Sequence, residues 1–552
     1  MTISSTFPKR SLAWTLFLAV FAVFVWIVIR DAWLCDDAFI TLRVVDNFHN
    51  GLGLRWNVID RVQVFTHPLW CFALLGLGGV FGNLPLAALW LSIIVSLAAF
   101  LLIVPRPGRP NADLIFIALL IPASKAAIQF ATSGLEGPLA SILLAMLVLT
   151  CGGLKTTWGL YDRWVPLLAA AIVLTRADLL LVVAPLCVAW VARKGIRQAT
   201  VPLISGAAAV AAWELFSFVY YGSLVPNTAL AKLDAGVPFF EKTMQGLRYV
   251  GDFMLRDPAG FIALALCLLL LVTRRTGLQT RAVGGGIALY LLYIVMIGGD
   301  FMSGRFFAIP VFLAVAETGR AVGSRSQISA VTTFGVSAAA ILLVAVQLFG
   351  FNGFVTETTS RNGISDERMF YAPALSLRAL HDGRAIERVL WVHRAREMGR
   401  RGHPTGLRAG SVGLAGFYGG PNIHILDVLA LGDPVLSRLP SRSGSRIGHF
   451  ERRVPDGYEK SLLSRRLVVE DPELNEYCRV VWSVTRGPVW SASRLGDSVR
   501  LIAGTYDPLV NAYLLRSGVW FREAGLPALP LPNQTIETLY LPSSNLEDAG
   551  RL

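Results

Sequence analysis

Long apolar runs recur through the first 350 residues and constrain the fold of this chain more than any other feature. The first run covers residues 12–29, and several later ones approach the roughly 20 residues that a helix needs to cross a bilayer. Over the whole sequence 54% of the residues are hydrophobic and only 16% are charged. This composition is more apolar than that of soluble globular proteins and predicts a polytopic α-helical membrane protein.

Basic residues predict which side of the membrane each loop faces. Lys9 and Arg10 precede the first run, and short basic loops follow at residues 193–197, 274–275 and 320–325. Cytoplasmic loops carry an excess of Lys and Arg, so the amino terminus is predicted to be cytoplasmic. We expect a retained first helix in the cytoplasmic (inner) membrane, because the run is longer than a signal-peptide core. The net charge of +13 forms no long basic run, so nucleic-acid binding is not expected.

The positions of the basic residues also decide how the apolar run at residues 69–81 is interpreted. At about 13 residues it is short for a span. If it crossed, Arg106 and Arg109 would lie outside, whereas an interfacial or re-entrant helix keeps every basic loop inside. About eleven transmembrane helices are then predicted. They lie near residues 12–29, 86–104, 114–126, 139–151, 165–174, 179–191, 201–218, 261–273, 287–297, 306–322 and 331–349.

The sequence after residue 350 is more polar and predicts a separate domain. Residues 479–484 and 498–502 alternate apolar and polar side chains, as half-buried strands do. We expect residues 1–350 to form the transmembrane catalytic domain, with a first outer loop at 31–84. Residues 351–552 are expected to form a C-terminal soluble extracytoplasmic domain of mixed α/β or β-rich structure, which could bind carbohydrate or act as a lid. The six cysteines show no Cys-x-x-Cys spacing, so neither a disulfide framework nor a zinc site is supported.

Two adjacent carboxylates, Asp36 and Asp37, follow the first apolar run at the predicted outer rim. A simple structural role is an N-cap for a helix over residues 38–47. Alternatively, two carboxylates in different surroundings can hold different pKa values and play different chemical roles. Oxygen ligands of this kind would also suit a divalent cation, Mg²⁺, Mn²⁺ or Ca²⁺.

Further polar residues lie in the predicted outer segments, where charged groups at membrane depth usually mark function. Thr66 could cap a helix that begins after Pro68, Glu136 could be a helix-start acid, and Arg176 with Asp178 could form a structural ion pair. Arginine and lysine near a lipid groove would instead suit a lipid phosphate. The full set is Arg43, Thr66, His67, Glu136, Arg176, Asp178, Asn227, Lys232, Asp300 and Arg305. The glycine-rich residues 410–416 lack the spacing of a nucleotide-binding loop.

Short motifs in these segments resemble a known family. They include Asp36-Asp37-Ala38-Phe39, Thr66-His67-Pro68-Leu69-Trp70, Ser133-Gly134-Leu135-Glu136, Thr175-Arg176-Ala177-Asp178, Gly299-Asp300-Phe301-Met302 and the stretch at 427–433. In their order along the chain and in the side of the membrane predicted for them, these motifs resemble those of GT-C glycosyltransferases. Within that class they resemble the AftB family of mycobacterial terminal arabinofuranosyltransferases. His67 and Ala177 depart from the residues that are frequent in that family.

The resemblance implies a sugar donor linked to polyprenyl phosphate, a glycan or glycoconjugate acceptor, and transfer on the outer face. It implies Asp36 as the preferred catalytic carboxylate, with Asp37 orienting it or taking that role itself. Arg43, Arg176, Lys232 and Arg305 would contact the donor phosphate or sugar. The remaining substrate contacts would come from Thr66, His67, Glu136, Asp178, Asn227 and Asp300.

Three alternatives stay open at the level of sequence. A transporter or flippase of lipid-linked sugars would also place charges within the membrane. A GT-C transferase could use another polyprenyl-phosphate sugar such as mannose, and a scaffold with a glycan-binding tail would need no catalytic aspartate. The sequence does not choose between inversion and retention of the sugar configuration.

Overall fold

The structure is a computed structural model in which helices dominate. It describes residues 7–103, 119–151, 162–233, 235–273, 276–323, 341–342, 344–345, 359, 362–401, 405–409, 411–442 and 444–517. The described helices up to residue 323 are α1 Phe7–Arg30, α2 Asp36–His49, α3 Pro68–Gly78, α4 Leu84–Ile103, α5 Leu120–Ala123, α6 Lys125–Gln129, α7 Gly137–Cys151, α8 Val165–Thr175, α9 Leu180–Lys194, α10 Ile196–Tyr221, α11 Asn227–Leu233, α12 Phe239–Arg256, α13 Pro258–Val272, α14 Leu278–Ile297 and α15 Arg305–Gly323.

The described part after residue 362 is also mainly helical. Its elements are α16 Glu367–Leu375, α17 Leu377–Asp382, α18 Leu390–Arg400, β1 Thr405–Ala409, α19 Val412–Gly419, β2 Ile423–Asp427, α20 Tyr458–Ser464, α21 Pro472–Arg486, α22 Ala492–Ile502 and α23 Asp507–Ser517. The strands β1 and β2 pair in parallel, with Thr405 opposite Ile423 and Ala409 opposite Asp427. Short 3₁₀ turns lie at Asp162–Trp164, Ala177–Leu179, Ile386–Arg388 and Leu436–Arg438.

Contacts group the chain into two compact units, each built from three separated stretches. Unit 1 consists of Met1–Leu34, Ala88–Val210 and Phe239–Ala372. Unit 2 consists of Cys35–Ala87, Ala211–Pro238 and Pro373–Leu552. The predicted division into a membrane part and an outer part at residue 350 stays a prediction.

In the described ranges, three helices are long and apolar enough to cross a membrane: α4, α10 and α14. The pair α12 and α13 is bent by 111° and counts as a fourth if it forms one span. Helices coincide with the predicted runs near residues 86–104, 139–151, 165–174 and 201–218, so those helix predictions are confirmed. The total of about eleven spans is not established by these helices. The predicted run at 331–349 lies largely outside the described residues.

The predicted span at 114–126 contains shorter helices than expected, whereas the segment at 69–81 was already predicted to be too short for a span. Within 114–126, the described residues form α5 and α6, which are separated at Ser124 because its side chain caps α6 by accepting a bond from the Ala127 amide. Helix α3 has 11 residues and begins at Pro68. Proline suits the first position of a helix because its missing amide hydrogen has no partner there in any case.

The strands predicted in the tail are wrong, since both stretches are helical. Residues 479–484 lie in α21, where Asp471 caps the helix start and Pro472 follows. Residues 498–502 lie in α22, which Ser491 caps. Helix α21 buries residues at helical spacing, Leu474, Tyr477, Cys478, Val481 and Val484. The apolar and polar residues at 479–484 therefore follow the helical period, and the segment is too short to distinguish that period from the alternation of a strand.

The apolar core of unit 2 lies among these tail helices. Tyr458 of α20, Leu474 and Val481 of α21, and Val435 between β2 and α20 belong to one buried cluster. Ala231 of α11 packs into the same cluster, although it lies more than 200 residues earlier. The tail and the stretch Ala211–Pro238 are therefore parts of one packed body.

Candidate active site

Asp36 is the first residue of α2, and backbone amides hold both of its carboxylate oxygens. Cys35 is the N-cap of α2, so the acids occupy the first turn rather than the cap position that the sequence predicted. Oδ2 accepts a hydrogen bond from the Gly413 amide at 3.0 Å, and Oδ1 accepts one from the Leu414 amide at 2.9 Å. The residue is 7% exposed. Asp36 thus satisfies two amides at the start of α19 that have no partner within that helix.

Glycines allow α19 to approach α2 this closely. A Cβ atom at Gly413 would overlap the carbonyl oxygen of Asp36, and one at Gly416 would lie 2.6 Å from Nη1 of Arg43. The glycines at 413 and 416 therefore allow α19 to pack against α2. This packing explains the glycines without a nucleotide.

Burial gives Asp36 an unusual acidity. Loss of solvation raises its pKa to about 7, although the bonds from Leu414 and Gly413 act in the opposite direction. The negative charges of Asp37 and Asp427 raise the pKa further. Asp37 is more exposed than Asp36. The two neighbours therefore occupy different surroundings, which allows them different chemical roles.

Arg43 lies about two helical turns after Asp36 in α2. Its side chain points into the interior of unit 2. Its Nη2 donates to the carbonyl oxygen of Ile423 at 2.6 Å, and its guanidinium lies 5.2 Å from the centre of the Trp56 ring. The side chain is 1% exposed, and its Nε and Nη1 have no hydrogen-bond partner in the described ranges. Burial lowers the pKa of Arg43 to about 9. In this arrangement Arg43 contacts protein backbone.

Thr66 and His67 precede α3 in unit 2. His67 occupies the N-cap position and makes no side-chain capping bond, so the predicted cap by Thr66 is wrong. Nε2 of the buried His67 lies 2.8 Å from Oγ1 of Thr41, which joins the start of α3 to α2. Thr66 is exposed.

Asn227 supports the loop at residues 427–433. Its Nδ2 donates to the carbonyl oxygens of Ala430 and Leu431 at 3.0 Å and of Asp433 at 3.2 Å. Ala430 has a φ of 62°, a left-handed conformation that costs energy for a residue with a side chain. Asn227 thus fixes a strained turn. Lys232 lies half-buried in the last turn of the same helix, α11.

Two further buried acids, Asp427 and Asp433, were not among the predicted site residues. Asp427 accepts bonds from the amides of Leu429 and Gly432, both at 2.9 Å. Asp433 accepts bonds from the amides of Val435 and Leu436 and from the Tyr458 hydroxyl. Burial raises the pKa of Asp427 to about 6 and that of Asp433 to about 7. The sequence signal that could have identified them is the presence of two acids six residues apart in a stretch that is otherwise almost wholly apolar.

In unit 1, Arg176 is the centre of a second charged cluster. Its Nε and Nη2 donate to the two oxygens of Asp178 at 3.0 and 2.5 Å, which confirms the predicted ion pair. Nη1 lies 3.3 Å from a carboxylate oxygen of Glu136, and Nη2 donates to the Tyr290 hydroxyl at 3.2 Å. The guanidinium also lies 5.1 Å from the centre of the Phe306 ring. Four separate parts of the sequence therefore meet at Arg176.

A neighbouring ion pair in unit 1 joins Asp300 and Arg305. Nη1 of Arg305 donates to Oδ2 of Asp300 at 3.2 Å, while Oδ1 accepts a bond from the Phe301 amide. Burial opposes ionisation of Asp178, but the charge and hydrogen bonds of Arg176, the Tyr290 hydroxyl and the charge of Arg305 hold the pKa of Asp178 below its usual range. Arg305 is therefore near enough to act electrostatically on the Arg176 cluster.

The predicted site residues thus fall into two sets. Unit 2 contains Asp36, Asp37, Arg43, Thr66, His67, Asn227 and Lys232. Unit 1 contains Glu136, Arg176, Asp178, Asp300 and Arg305. In the part of the chain that the structure describes, no three His, Cys, Asp or Glu side chains come together in a way that could hold a metal ion.

Two curated proteins share sequence with this chain over long stretches. A terminal beta-(1->2)-arabinofuranosyltransferase of Mycobacterium tuberculosis is 30% identical in an alignment 425 residues long that covers 65% of this chain and 66% of that protein. A terminal beta-(1->2)-arabinofuranosyltransferase of Corynebacterium glutamicum is 32% identical in an alignment 339 residues long that covers 51% of this chain and 46% of that protein. The resemblance to terminal arabinofuranosyltransferases is confirmed. The match spans just under two thirds of the mycobacterial relative and less than half of the corynebacterial one.

Comparisons with family models and solved structures add little to this relationship with the arabinofuranosyltransferases. No family model matches the chain. The crystal structure of an Archaeoglobus fulgidus oligosaccharyltransferase in the apo form aligns with a TM-score of 0.39 and 12% identity. That alignment covers 75% of this chain and 64% of the archaeal one.

Proposed function

We propose that the chain is a membrane glycosyltransferase that transfers D-arabinofuranose from a polyprenyl-phosphate donor to a cell-envelope glycan. Transfer would take place on the outer face of the cytoplasmic membrane. The similarity to two curated terminal arabinofuranosyltransferases is the observation that carries this proposal. Apolar helices that could cross a membrane are consistent with a lipid-linked donor.

In this proposal Asp37 acts on the substrates and Asp36 positions it. Both oxygens of Asp36 already accept bonds from the amides of Gly413 and Leu414, so they are committed to protein groups. Asp37 follows immediately and is more exposed. The attachment of Asp36 to α19 fixes the first turn of α2, and with it the backbone from which the Asp37 side chain extends. A rigid support of this kind is what a catalytic group requires.

The reaction needs little beyond a carboxylate and cations. The bond between the anomeric carbon and the phosphate oxygen breaks, the bonding electrons leave with the phosphate, and a bond forms to an acceptor hydroxyl oxygen. The hydroxyl proton must pass to a base, a role that Asp37 can fill by direct contact. Charge that develops on the phosphate is stabilised by preorganised cations. Lys232, which is half-buried in the last turn of α11 and belongs to the same unit as Asp37, is our candidate for that role.

Arg176 has a different role in this proposal. Its contacts with Asp178, Glu136 and Tyr290 use most of its donors inside unit 1. A guanidinium in such a network holds other groups in place, and removal of one of its partners is strongly destabilising because it leaves a buried charge unpaired. We therefore assign Arg176, with Asp178 and Glu136, to shaping unit 1, and we no longer place Arg43 at the phosphate because it contacts the carbonyl oxygen of Ile423.

A transfer assay with purified protein in liposomes tests the proposal. The donors are polyprenyl-phosphate arabinofuranose and, as a competing sugar, polyprenyl-phosphate mannose, each with a radiolabel in the sugar and with an arabinan oligosaccharide as acceptor. We expect label to move to the acceptor from the arabinose donor. Transfer only from the mannose donor would overturn the choice of sugar. Movement of intact lipid-linked sugar across the bilayer without transfer would overturn the enzyme.

A further inference from the structure

Helix α12 has one face that packs within unit 1. Gly246 lies directly against the backbone of α14 at Val295. Tyr249 donates its hydroxyl hydrogen to the carbonyl oxygen of Met302 at 2.8 Å, and the Phe253 ring stacks on Phe307 with centroids 4.0 Å apart. These contacts fix how the helix is rotated about its own axis. The opposite face must therefore point away from unit 1.

That opposite face is apolar and exposed. Its large side chains recur at intervals of four, three and eight residues, which places them on one side of the helix: Phe240, Met244, Leu247 and Leu255. Phe240 is 71% exposed and Leu247 is 52% exposed. A contiguous row of large apolar side chains in water is unfavourable, so the row indicates a surface that something apolar covers.

The next helix indicates what covers it. Helix α13 begins two residues after α12 ends and has exposed apolar side chains of its own, among them Leu269, 61% exposed, and Val272, 76% exposed. The two helices meet at an angle of 111°. If α13 crosses the bilayer with the modest tilt of most transmembrane helices, α12 lies nearly in the membrane plane. Its polar flank, with Glu241, Gln245 and Arg248, then faces headgroups and water.

We propose that α12 is an interfacial helix whose exposed face, formed by Phe240, Met244, Leu247 and Leu255, inserts among the acyl chains of the lipid bilayer. Helices of this kind typically place their apolar face about 5–10 Å into the boundary between headgroups and acyl chains. The surface belongs to unit 1 alone and involves neither aspartate of α2. It therefore goes beyond the proposed sugar transfer and can be tested without it.

Spin labels on α12 in full-length protein, reconstituted in phosphatidylcholine and phosphatidylglycerol vesicles, test the proposal. Labels are attached at Met244→Cys, Leu247→Cys and Phe240→Cys, so that a single misfolded variant does not decide the result. Glu241→Cys, an exposed polar position of the same helix, is the matched control. Unmutated protein gives the background from the native cysteines, of which all except the half-buried Cys187 are buried.

Collision of each label with oxygen, which concentrates in lipid, is compared with collision with a water-soluble nickel chelate. We expect the ratio of oxygen to nickel collision at Leu247 and Met244 to be at least about 3-fold higher than at Glu241, as insertion into the acyl region requires. Equal ratios at all positions would show a water-exposed face and overturn the proposal. Low collision with both reagents at the apolar positions would show that protein covers the face, and would overturn it too.

Discussion

Asp36 and Asp37 are neighbours in the chain but differ in what surrounds their carboxylates. The carboxylate of Asp36 accepts hydrogen bonds from the amides of Gly413 and Leu414, whereas Asp37 is more exposed. We predict that Asp37→Asn lowers the rate of sugar transfer by about 100-fold or more, as loss of a general base typically does, and lowers the unfolding temperature less than Asp36→Asn does.

Asp36→Asn should lower both activity and stability. One end of the new amide is an NH₂ group, which cannot accept the bond that the carboxylate oxygen received, and an unsatisfied buried amide costs about 1–3 kcal/mol. Transfer assays and thermal unfolding of the purified variants measure both effects. Asp46→Asn, on the same helix, is the matched control. Full activity of Asp37→Asn would refute its assignment.

Three buried carboxyls of unit 2 make its stability depend on pH. Burial raises the pKa of Asp36 and Asp433 to about 7 and that of Asp427 to about 6, above the values these groups have in an unfolded chain. The folded state then binds protons more tightly than the unfolded state, so the stability that these groups contribute is lost as pH rises through about 6 to 7.

We therefore expect the unfolding temperature of the wild-type protein to decline more between pH 5.5 and pH 8 than that of Asp433→Asn. A thiol-reactive dye can follow unfolding, since Cys35, Cys71 and Cys478 of unit 2 are buried. The exposed Asp382→Asn serves as the control and should keep the pH dependence of the wild type. A dependence on pH that is identical in all three proteins would contradict this account.

At the scale of elements, close contact between α2 and α19 depends on glycine. A Cβ atom at Gly413 has no room beside the Asp36 carbonyl oxygen. We expect Gly413→Ala to push α19 away, to cost about 1–3 kcal/mol as overpacking usually does, and to reduce transfer. Gly496 in α22 has nothing within 4 Å of such an atom, so Gly496→Ala should be neutral or slightly stabilising. Chemical denaturation of both variants checks the difference, and equal stabilities would argue against the close contact.

The helices of unit 2 show what short sequence patterns can predict. The start of α3 could be predicted because Pro68 marks a first helical turn, and Pro472 has the same position in α21. The strand predicted within α21 was wrong, since five or six residues of β-branched and aromatic character fit a strand as well as a buried helix face. A longer window, from the Asp471 cap onward, contains the helical period that decides the matter.

At the scale of the whole molecule, unit 1 depends on a charged cluster drawn from four parts of the sequence. Replacing Arg176 with Gln would leave Asp178 and Glu136 without their cation in buried positions. Breaking a buried pair in this way typically costs about 3–5 kcal/mol. We expect Arg176→Gln to lower the unfolding temperature strongly and Arg176→Lys to do so partly, because lysine lacks the planar fork. Arg248→Gln, an exposed position of unit 1, is the control and should unfold like the wild type.

The sequence did not predict how the candidate site residues are grouped in the two units. Local signals were sufficient for the Arg176 and Asp178 pair, because two residues separated by one position can meet in a single turn. No local signal joined Asp36 to Gly413 or Asn227 to Ala430, since these contacts span 377 and 203 residues of the chain. Long-range contacts of this kind follow from packing of complete helices, which a single sequence does not display.

The bond between Asp36 and Gly413 spans 377 residues and has a consequence for biosynthesis. While a ribosome makes the chain, Asp36 is synthesised soon after α1 and long before its amide partners exist. Until then water, lipid headgroups or an assembly factor must satisfy it. The candidate catalytic carboxylates can therefore reach their final surroundings only after synthesis has passed α19, which would keep nascent chains inactive while they are still being inserted.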